Sequence, residues 1–321
     1  MIKKFVSLVC IMVAVAVVLG PGKAAMAKDY LISIGAAGTG GTTYPMNAGI
    51  AEVIANEVPE IRNATAQVTG GSFENVRLLQ RGHIQLATAS AAASHAAYHG
   101  IGRFKKIPID KLRSIAWAHG SQVHVVSLKK SGIKKLEDLK GKRISIGPPG
   151  SQAAGNMMKL FEVLGTTEKD YKIEFLSFTE GVNALKDRRI NATVVSAGFP
   201  VSSIQDLSTT HSIHILPWPD SLMDKLLSKY PVYAKGVIPA GTYKNVDVDT
   251  PVLISSVTYM TSSEVPEDLI YKITKAIYKN IDWLSKNIHY KFNQWNFDPS
   301  IKRIAPLHPG AERFYREIGK L

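Results

Sequence analysis

Apolar residues along this chain follow two alternating patterns. Short runs of strand formers are succeeded by stretches in which apolar positions recur at helical spacing. Tyr30–Ile34 alternates strand formers, Gly35–Pro45 (GAAGTGGTTYP) carries no charge, and Met46–Val58 reads as a helix. The sequence then repeats itself. Ala64–Thr69 reads as a strand broken by Gly70-Gly71-Ser72, and a helical pattern runs from Phe73 to Gly82. Ile84–Thr88 is a third strand, before the small-residue helix Ser90–Tyr98. Each strand ends in Gly, Ser or Thr just ahead of a helix. This alternation predicts an α/β fold with parallel sheets, whose strand ends share one edge where ligands bind.

Leu112–Trp117 and Val123–Leu128 read as two strands around the polar break His119–Gln122, which suits a hinge. Beyond it come a short helix over Ser131–Leu139, a strand over Lys142–Ile146, a glycine-rich turn Gly147–Ser151 and a helix over Gln152–Leu164. Ile173–Leu176, Ala192–Ser196 and Ser212–Leu216 are further strands, with helices over Gly181–Asp187 and Pro200–Leu207 between them. A helix Ser221–Lys229 and a proline-broken segment Tyr230–Thr242 precede the strand Val252–Thr261. One long amphipathic helix then runs from Val265 to Lys286, and a last one from Pro309 to Lys320. A chain that leaves one α/β unit, builds a second and returns to the first is a two-lobed clamp. The expected division is 28–120 with 250–321 as lobe 1 and 121–249 as lobe 2, hinged near His119–Gln122 and Asp247–Val252.

Composition adds a compartment. Lys3 and Lys4, the apolar run Phe5–Leu19 and Ala25-Met26-Ala27 read as a leader, 1–27, cleaved after Ala27 for export to the periplasm. The single cysteine, Cys10, lies inside it, so the mature chain has no disulfide and depends on its core. At about 294 residues it can bury about three quarters of its unfolded surface. Cleavage would lower the formal charge from +13 to about +10. The lysines are scattered in pairs such as Lys105-Lys106, without aromatic interleaving, which reads as a solvated basic surface and not as a nucleic-acid footprint.

Candidate chemistry centres on the glycine-rich turns. A strand that empties through such a turn into a helix directs free backbone N–H groups at one point and so can hold an anion. Gly35–Tyr44 lacks the Walker lysine, and Thr43 stands where a dinucleotide fingerprint needs its third glycine. What remains is a carboxylate or phosphate cradle with Thr39, Thr42 and Thr43 hydroxyls as added donors, or a tight turn that binds nothing. His95 and His99 have helical spacing for zinc but no HExxH around them and no third ligand. His119 and His124 flank the hinge. Ser151 opens a helix without a G-x-S-x-G elbow, and Glu74, Glu180 and Asp187 are isolated carboxylates. No catalytic constellation, metal site or cofactor motif emerges.

Taken in order, the leader, GTGGTTYP, TGGSFENVRLLQRG, IGPPGS, SAGFPV, VIPAGTY and APLHPGAERFYREIG resemble the TAXI family, the extracytoplasmic solute receptors of TRAP (tripartite ATP-independent periplasmic) transporters. The resemblance covers essentially the whole mature chain. It implies a type II periplasmic-binding-protein fold, each lobe a mixed sheet flanked by helices, with a small anionic organic solute in the interlobe cleft. Glutamate, glutamine and 2-oxoglutarate are the ligands of such receptors. It also implies a monomer without cofactor or catalytic step, delivering its solute to a TRAP membrane permease. The ligand-binding residues implied are Gly40, Gly41, Thr42, Thr43, Tyr44, Thr69, Gly71, Ser72 and Ser90 from lobe 1, and Gly150, Ser151, Gly198 and Phe199 from lobe 2.

The chain departs from the family pattern at Thr43, where a second aromatic is usual, and at Asn47, where glycine is. It also departs at Ala89-Ser90-Ala91-Ala92 and at Gln152-Ala153-Ala154. These smaller or less charged replacements imply that an acceptor for an amino group is lost, favouring a dicarboxylate or oxo-acid such as 2-oxoglutarate. The alternatives are a secreted α/β hydrolase with Ser151 as nucleophile, or a binding protein serving an ABC importer or a sensor.

Overall fold

The computed structural model describes residues 29–230 and 232–321. The expected leader 1–27, with Cys10, lies outside the described residues.

Three parallel strands open the chain: β1 (Tyr30–Gly35), β2 (Ile61–Gln67) and β3 (Leu86–Ser90), each followed by a helix, α1 (Thr43–Glu57), α2 (Ser72–Gln80) and α3 (Ala91–Tyr98). β3 is buried along its whole length, whereas β1 buries Ile32, Ile34 and Gly35 and leaves Leu31 exposed. β4 (Leu112–Leu128) then runs for 17 residues. After it come β5 (Arg143–Ser145), α4 (Gln152–Val163), β6 (Lys172–Glu174), α5 (Phe178–Lys186), β7 (Ala192–Ala197), α6 (Ser202–Thr210), β8 (Ile213–Ile215), α7 (Asp220–Lys229) and β9 (Tyr233–Ile238). β10 (Thr250–Ser262), α8 (Glu267–Lys279), α9 (Ile281–Asn287) and α10 (Pro309–Glu317) complete the described residues.

All the strands join one mixed sheet, in the order β2-β1-β3-β10-β4-β7-β5-β6, with β8 on β4 and β9 on β10. The two long antiparallel strands carry it from one half to the other. β10 pairs β9 through Thr250–Ser255 and β3 through Val257–Thr261. β4 pairs β10 from Leu112 to Gln122, and from Gln122 onwards it pairs β7. Partners are therefore exchanged at Gln122 and at Ser255–Val257. The core divides at the same place. One apolar cluster, with Val125, Ile144, Leu160 and Trp218, draws on residues 123–253. Two others, with Ile34, Ile54, Tyr259 and Phe314 and with Val76, Phe104 and Met260, draw on residues 32–118 and 257–315.

Several expected elements differ. The polar break His119–Gln122 does not interrupt β4. Gly120 N donates to Gln294 Oε1 (3.0 Å), and the Ser121 and Ser196 hydroxyls lie 3.3 Å apart, so distant elements satisfy what looked like a loop. The sheet is mixed, because β4 and β10 are antiparallel to their neighbours. The segment read as proline-broken contains β9, an antiparallel partner for the first half of β10. The long C-terminal helix ends at Asn280, whose side-chain Nδ2 donates to Ala276 O (2.9 Å) and competes with the backbone. Among the described residues no helix is long and apolar enough to cross a membrane.

Candidate functional site

The carboxyl ends of β1, β2, β3, β5, β6 and β7 all open into one cleft, at the level where β4 and β10 change partners. Its lining includes Gly41 and Thr43 after β1, Gly71 and Ser72 after β2, Thr88 and Ser90 at the end of β3, and Ser121 and Ser255 from the long strands. Pro148, Ser151, Gln152, Phe178 and Ser196 face them from the other side. About 60 Å³ is left for water-sized atoms, and no ionisable side chain lines it among the described residues. The surface offered is hydroxyl, amide and backbone.

Of the residues implied by sequence, Gly41, Thr43, Gly71, Ser72, Ser90 and Ser151 line the cleft. The rest do not, and several of these join its two sides instead. Thr42 Oγ1 accepts from Gly198 N (3.1 Å), and Phe73 N donates to Gly150 O (3.1 Å). Gly40 packs so closely on Thr179 that a Cβ would lie 2.4 Å from its Oγ1. Thr69 is a local brace, donating to Ala36 O (3.3 Å) and accepting from Gly71 N (3.1 Å). Tyr44 is partly exposed outside the lining, and the Phe199 ring lies 4.8 Å from Lys291 Nζ.

The helix starts are not equivalent. Ser90 Oγ caps α3 by accepting from Ala93 N (3.1 Å), and Ser151 Oγ caps α4 by accepting from Ala154 N (3.2 Å). Ser177 and Glu180 form a capping box on α5. By contrast α1 has no side-chain cap: Thr42 Oγ1 accepts from Gly198 N, Pro45 in the first turn has no N–H to give it, and that turn has no acidic residue. α2 starts at Gly71, whose φ of +100° suits glycine, and also lacks a side-chain cap. Gly70 N is already taken by Glu74 Oε2 (2.6 Å). The orphan N–H groups and positive dipole end of α1 are thus the freest donors at the cleft.

Beneath the glycine loop, two buried asparagines hold its strand ends. Asn47 Nδ2 donates to Gly35 O and Thr88 Oγ1, both at 3.1 Å, and Asn75 Nδ2 donates to Ala36 O (2.7 Å) and Thr88 O (2.8 Å). Asn47 is therefore a brace where the family pattern has glycine.

The opposite wall is wired through Gln152. Lys159 Nζ donates to Tyr233 OH (2.9 Å), and Tyr233 OH donates to Asn156 Oδ1 (2.9 Å). Gln152 Nε2 donates to Asn156 Oδ1 (2.6 Å) and Tyr233 OH (3.1 Å). Ser90 Oγ, from across the cleft, donates to Gln152 Oε1. An ammonium can only donate, so Tyr233 OH accepts from Lys159 and keeps its own proton for Asn156 Oδ1. The Gln152 carboxamide oxygen is left pointing at the cleft. An amide oxygen therefore stands in the wall where the sequence departs from the family pattern. Burial pushes the Lys159 ammonium down to about 8 and the Tyr233 phenol well above its usual range.

Burial also holds His119 and His124 down to about 4, the Lys291 charge adding to the effect in both. His124 meets Tyr243 OH through Nε2 (3.0 Å) and is a core residue. His95 and His99 lie with ring centroids 4.3 Å apart, and no group of three metal-ligating side chains occurs among the described residues. Sequence reasoning missed Gln152, Asn156, Tyr233 and the buried Lys291. The Gln152/Asn156 pair, at helical spacing behind the glycine turn, was the available signal.

Strand ends facing one cleft from two sides of a two-strand crossover, in a mixed sheet of this order, define the α/β fold of the type II periplasmic binding proteins. The chain belongs to the NMT1-like family, whose model matches residues 34–319. Among solved structures, it is similar to the alkanesulfonate-binding protein SsuA of Xanthomonas axonopodis pv. citri bound to MOPS, with a TM-score of 0.52 at 15% identity over 89% of this chain and 83% of that one. A Xanthomonas citri protein bound to ATP gives 0.51 at 11% identity over 90% and 99%. A Bordetella bronchiseptica protein gives 0.51 at 16% identity over 89% and 83%.

Proposed function

We propose that this chain is a periplasmic solute-binding protein of a transporter, which captures a small anionic organic solute between two lobes and releases it unchanged. The observation that carries this reading is the cleft itself, where hydroxyls and an uncapped helix start converge from both sides without an ionisable side chain in the lining. Fixed dipoles suit a ligand that must leave again, since they need little desolvation when the site is empty. Lobe 1 is 28–120 with 250–321 and lobe 2 is 121–249; the division of the apolar core supports this, as does the partner exchange at Gln122. Of the thirteen residues implied by sequence, the six in the lining contact the solute, and Gly40, Thr42, Gly150, Gly198 and Phe199 join the lobes.

The solute class is a small mono- or dicarboxylic acid of the glutamate, glutamine or 2-oxoglutarate kind, and the partner is a TRAP permease drawing on an ion gradient. The motif order supports the second point. Ser151 is spent on capping α4, which favours binding over nucleophilic attack. The test is mass spectrometry of whatever co-purifies with the native protein, then calorimetric titration of small acids, including alkanesulfonates. Saturable binding of an intact acid is expected. Turnover of an ester or amide abolished by Ser151→Ala would overturn the reading in favour of a hydrolase. Uptake with the neighbouring permease should need an ion gradient and no ATP; strict ATP dependence would point to an ABC importer.

A further inference from the structure

Lys291 is fully buried in the short helical turn Tyr290–Gln294, and among the described residues no carboxylate pairs with it. It donates to Gln122 Oε1 and Gln294 Oε1, both at 3.4 Å, which is long for a bond from an ammonium. The Gln294 oxygen also accepts from Gly120 N. Phe199 and Tyr290 offer ring faces at 4.8 and 5.6 Å. A lysine sealed from water with so little compensation is a standing cost to the state that seals it.

The seal comes from both sides of the cleft. Phe292 and Trp295, which flank Lys291 in the chain, belong to the core cluster of residues 32–118 and 257–315. The cover, Gly198–Phe199, follows β7. The approach is tight, since a Cβ on Gly198 would lie 3.0 Å from Lys291 Cε and 3.2 Å from Thr42 Cγ2. Gly198 N bonds Thr42 Oγ1, and Tyr290 OH bonds Phe199 O. The contacts that join the two sides are the ones that shut the ammonium away. They also bring it beside the uncapped start of α1, so two positive features gather behind one wall of the cleft.

We propose that Lys291 makes closure of the cleft conditional on a negatively charged solute, whose charge offsets the burial of the ammonium. This rests on the solute-receptor reading. Thr43 and Ser121, beside Thr42 and Gln122, line the cleft, so an anion held there lies close behind Lys291 in a low-dielectric setting. An empty cleft or a neutral solute leaves the cost of closure in place. Lys291 thereby selects on charge without entering the lining.

The test is Lys291→Met in the mature chain, with Phe199→Ala as a second variant that lets water reach the ammonium. Small-angle scattering and thermal melting are run without solute, and glutamate and glutamine, alike in shape but not in charge, are titrated. Lys291→Met should be more compact than the wild type without solute and melt higher. Its preference for glutamate over glutamine should fall about tenfold. Phe199→Ala should lose part of that preference with Lys291 in place. Scattering, melting and preference all unchanged in both variants would overturn the proposal. If the wild type takes up neither probe, the solute-receptor reading fails for this ligand class, while the solute-free scattering still decides the role of Lys291.

Discussion

The two walls of the cleft are built on opposite plans. After β1 and β2 the wall is glycine and backbone, and its shape is imposed from below by Asn47 and Asn75. After β5 the wall is side chain, wired from Lys159 through Tyr233 and Asn156 to Gln152, and its helix start is capped. The first wall offers donors and can take a negative group. The second offers a carboxamide oxygen of fixed orientation and can take an N–H or O–H. A solute with acid at one end and a donor near it would use both walls. An oxo-acid would use only the first.

Breaking the first wall should have the largest effect. Asn75→Leu removes both bonds from the Asn75 amide, leaving Ala36 O only the longer one from the Thr69 hydroxyl, and should cost about 3 kcal/mol in urea unfolding. A loss under about 1 kcal/mol would mean that the loop holds its own shape. On the second wall, Tyr233→Phe removes the hydroxyl shared by Lys159, Gln152 and Asn156, at about 1–2 kcal/mol. Gln152 is then held only by Asn156 and Ser90, and the ratio of glutamate to 2-oxoglutarate affinity should shift towards the oxo-acid; an unchanged ratio in calorimetry would remove Gln152 from the specificity argument.

Acid and alkali probe the buried groups. His119, His124 and His308 are held neutral, down to about 4, so between there and their ordinary 6.5 the unfolded chain binds more protons. Stability is complete above 6.5 and should be lost as pH falls towards 4. Lys159 and Lys291 are lowered from 10.5 to about 8, so by the same sign stability should rise from pH 8 to 10.5. Denaturant midpoints across both windows check this, and Lys159→Met and Lys291→Met should each flatten the alkaline rise. The smallest effect is expected from Thr42→Val, which removes one bond between the walls at about 1 kcal/mol and should weaken solute binding a few-fold in titration.

Local features of this fold were readable in the chain, and distant ones were not. β1, β3 and their helices follow from strand formers that end in Gly35 and Ser90 just ahead of helical spacing. The continuity of β4 through His119–Gln122 depends on Gln294 and Ser196, far along the chain, so a polar stretch that looks like a loop is a strand. β9 shows itself only as a partner for β10. At the cleft, Gly41, Thr43, Gly71, Ser72, Ser90 and Ser151 were found because glycine and hydroxyls at strand ends are a local signature. Lys291 was passed over because a lysine in sequence reads as surface, and its burial is decided by Gly198 and Phe199 closing over it.

The long shared strands have a consequence for how this protein is made. Thr258 Oγ1 bonds Ala89 O, 169 residues away, and the whole of β3 waits for β10 as its antiparallel neighbour. During synthesis the early strands have no partner on that edge until most of the chain exists, and contacts of such separation form slowly. By placing the closing strand late, this topology delays its own completion until most of the chain exists.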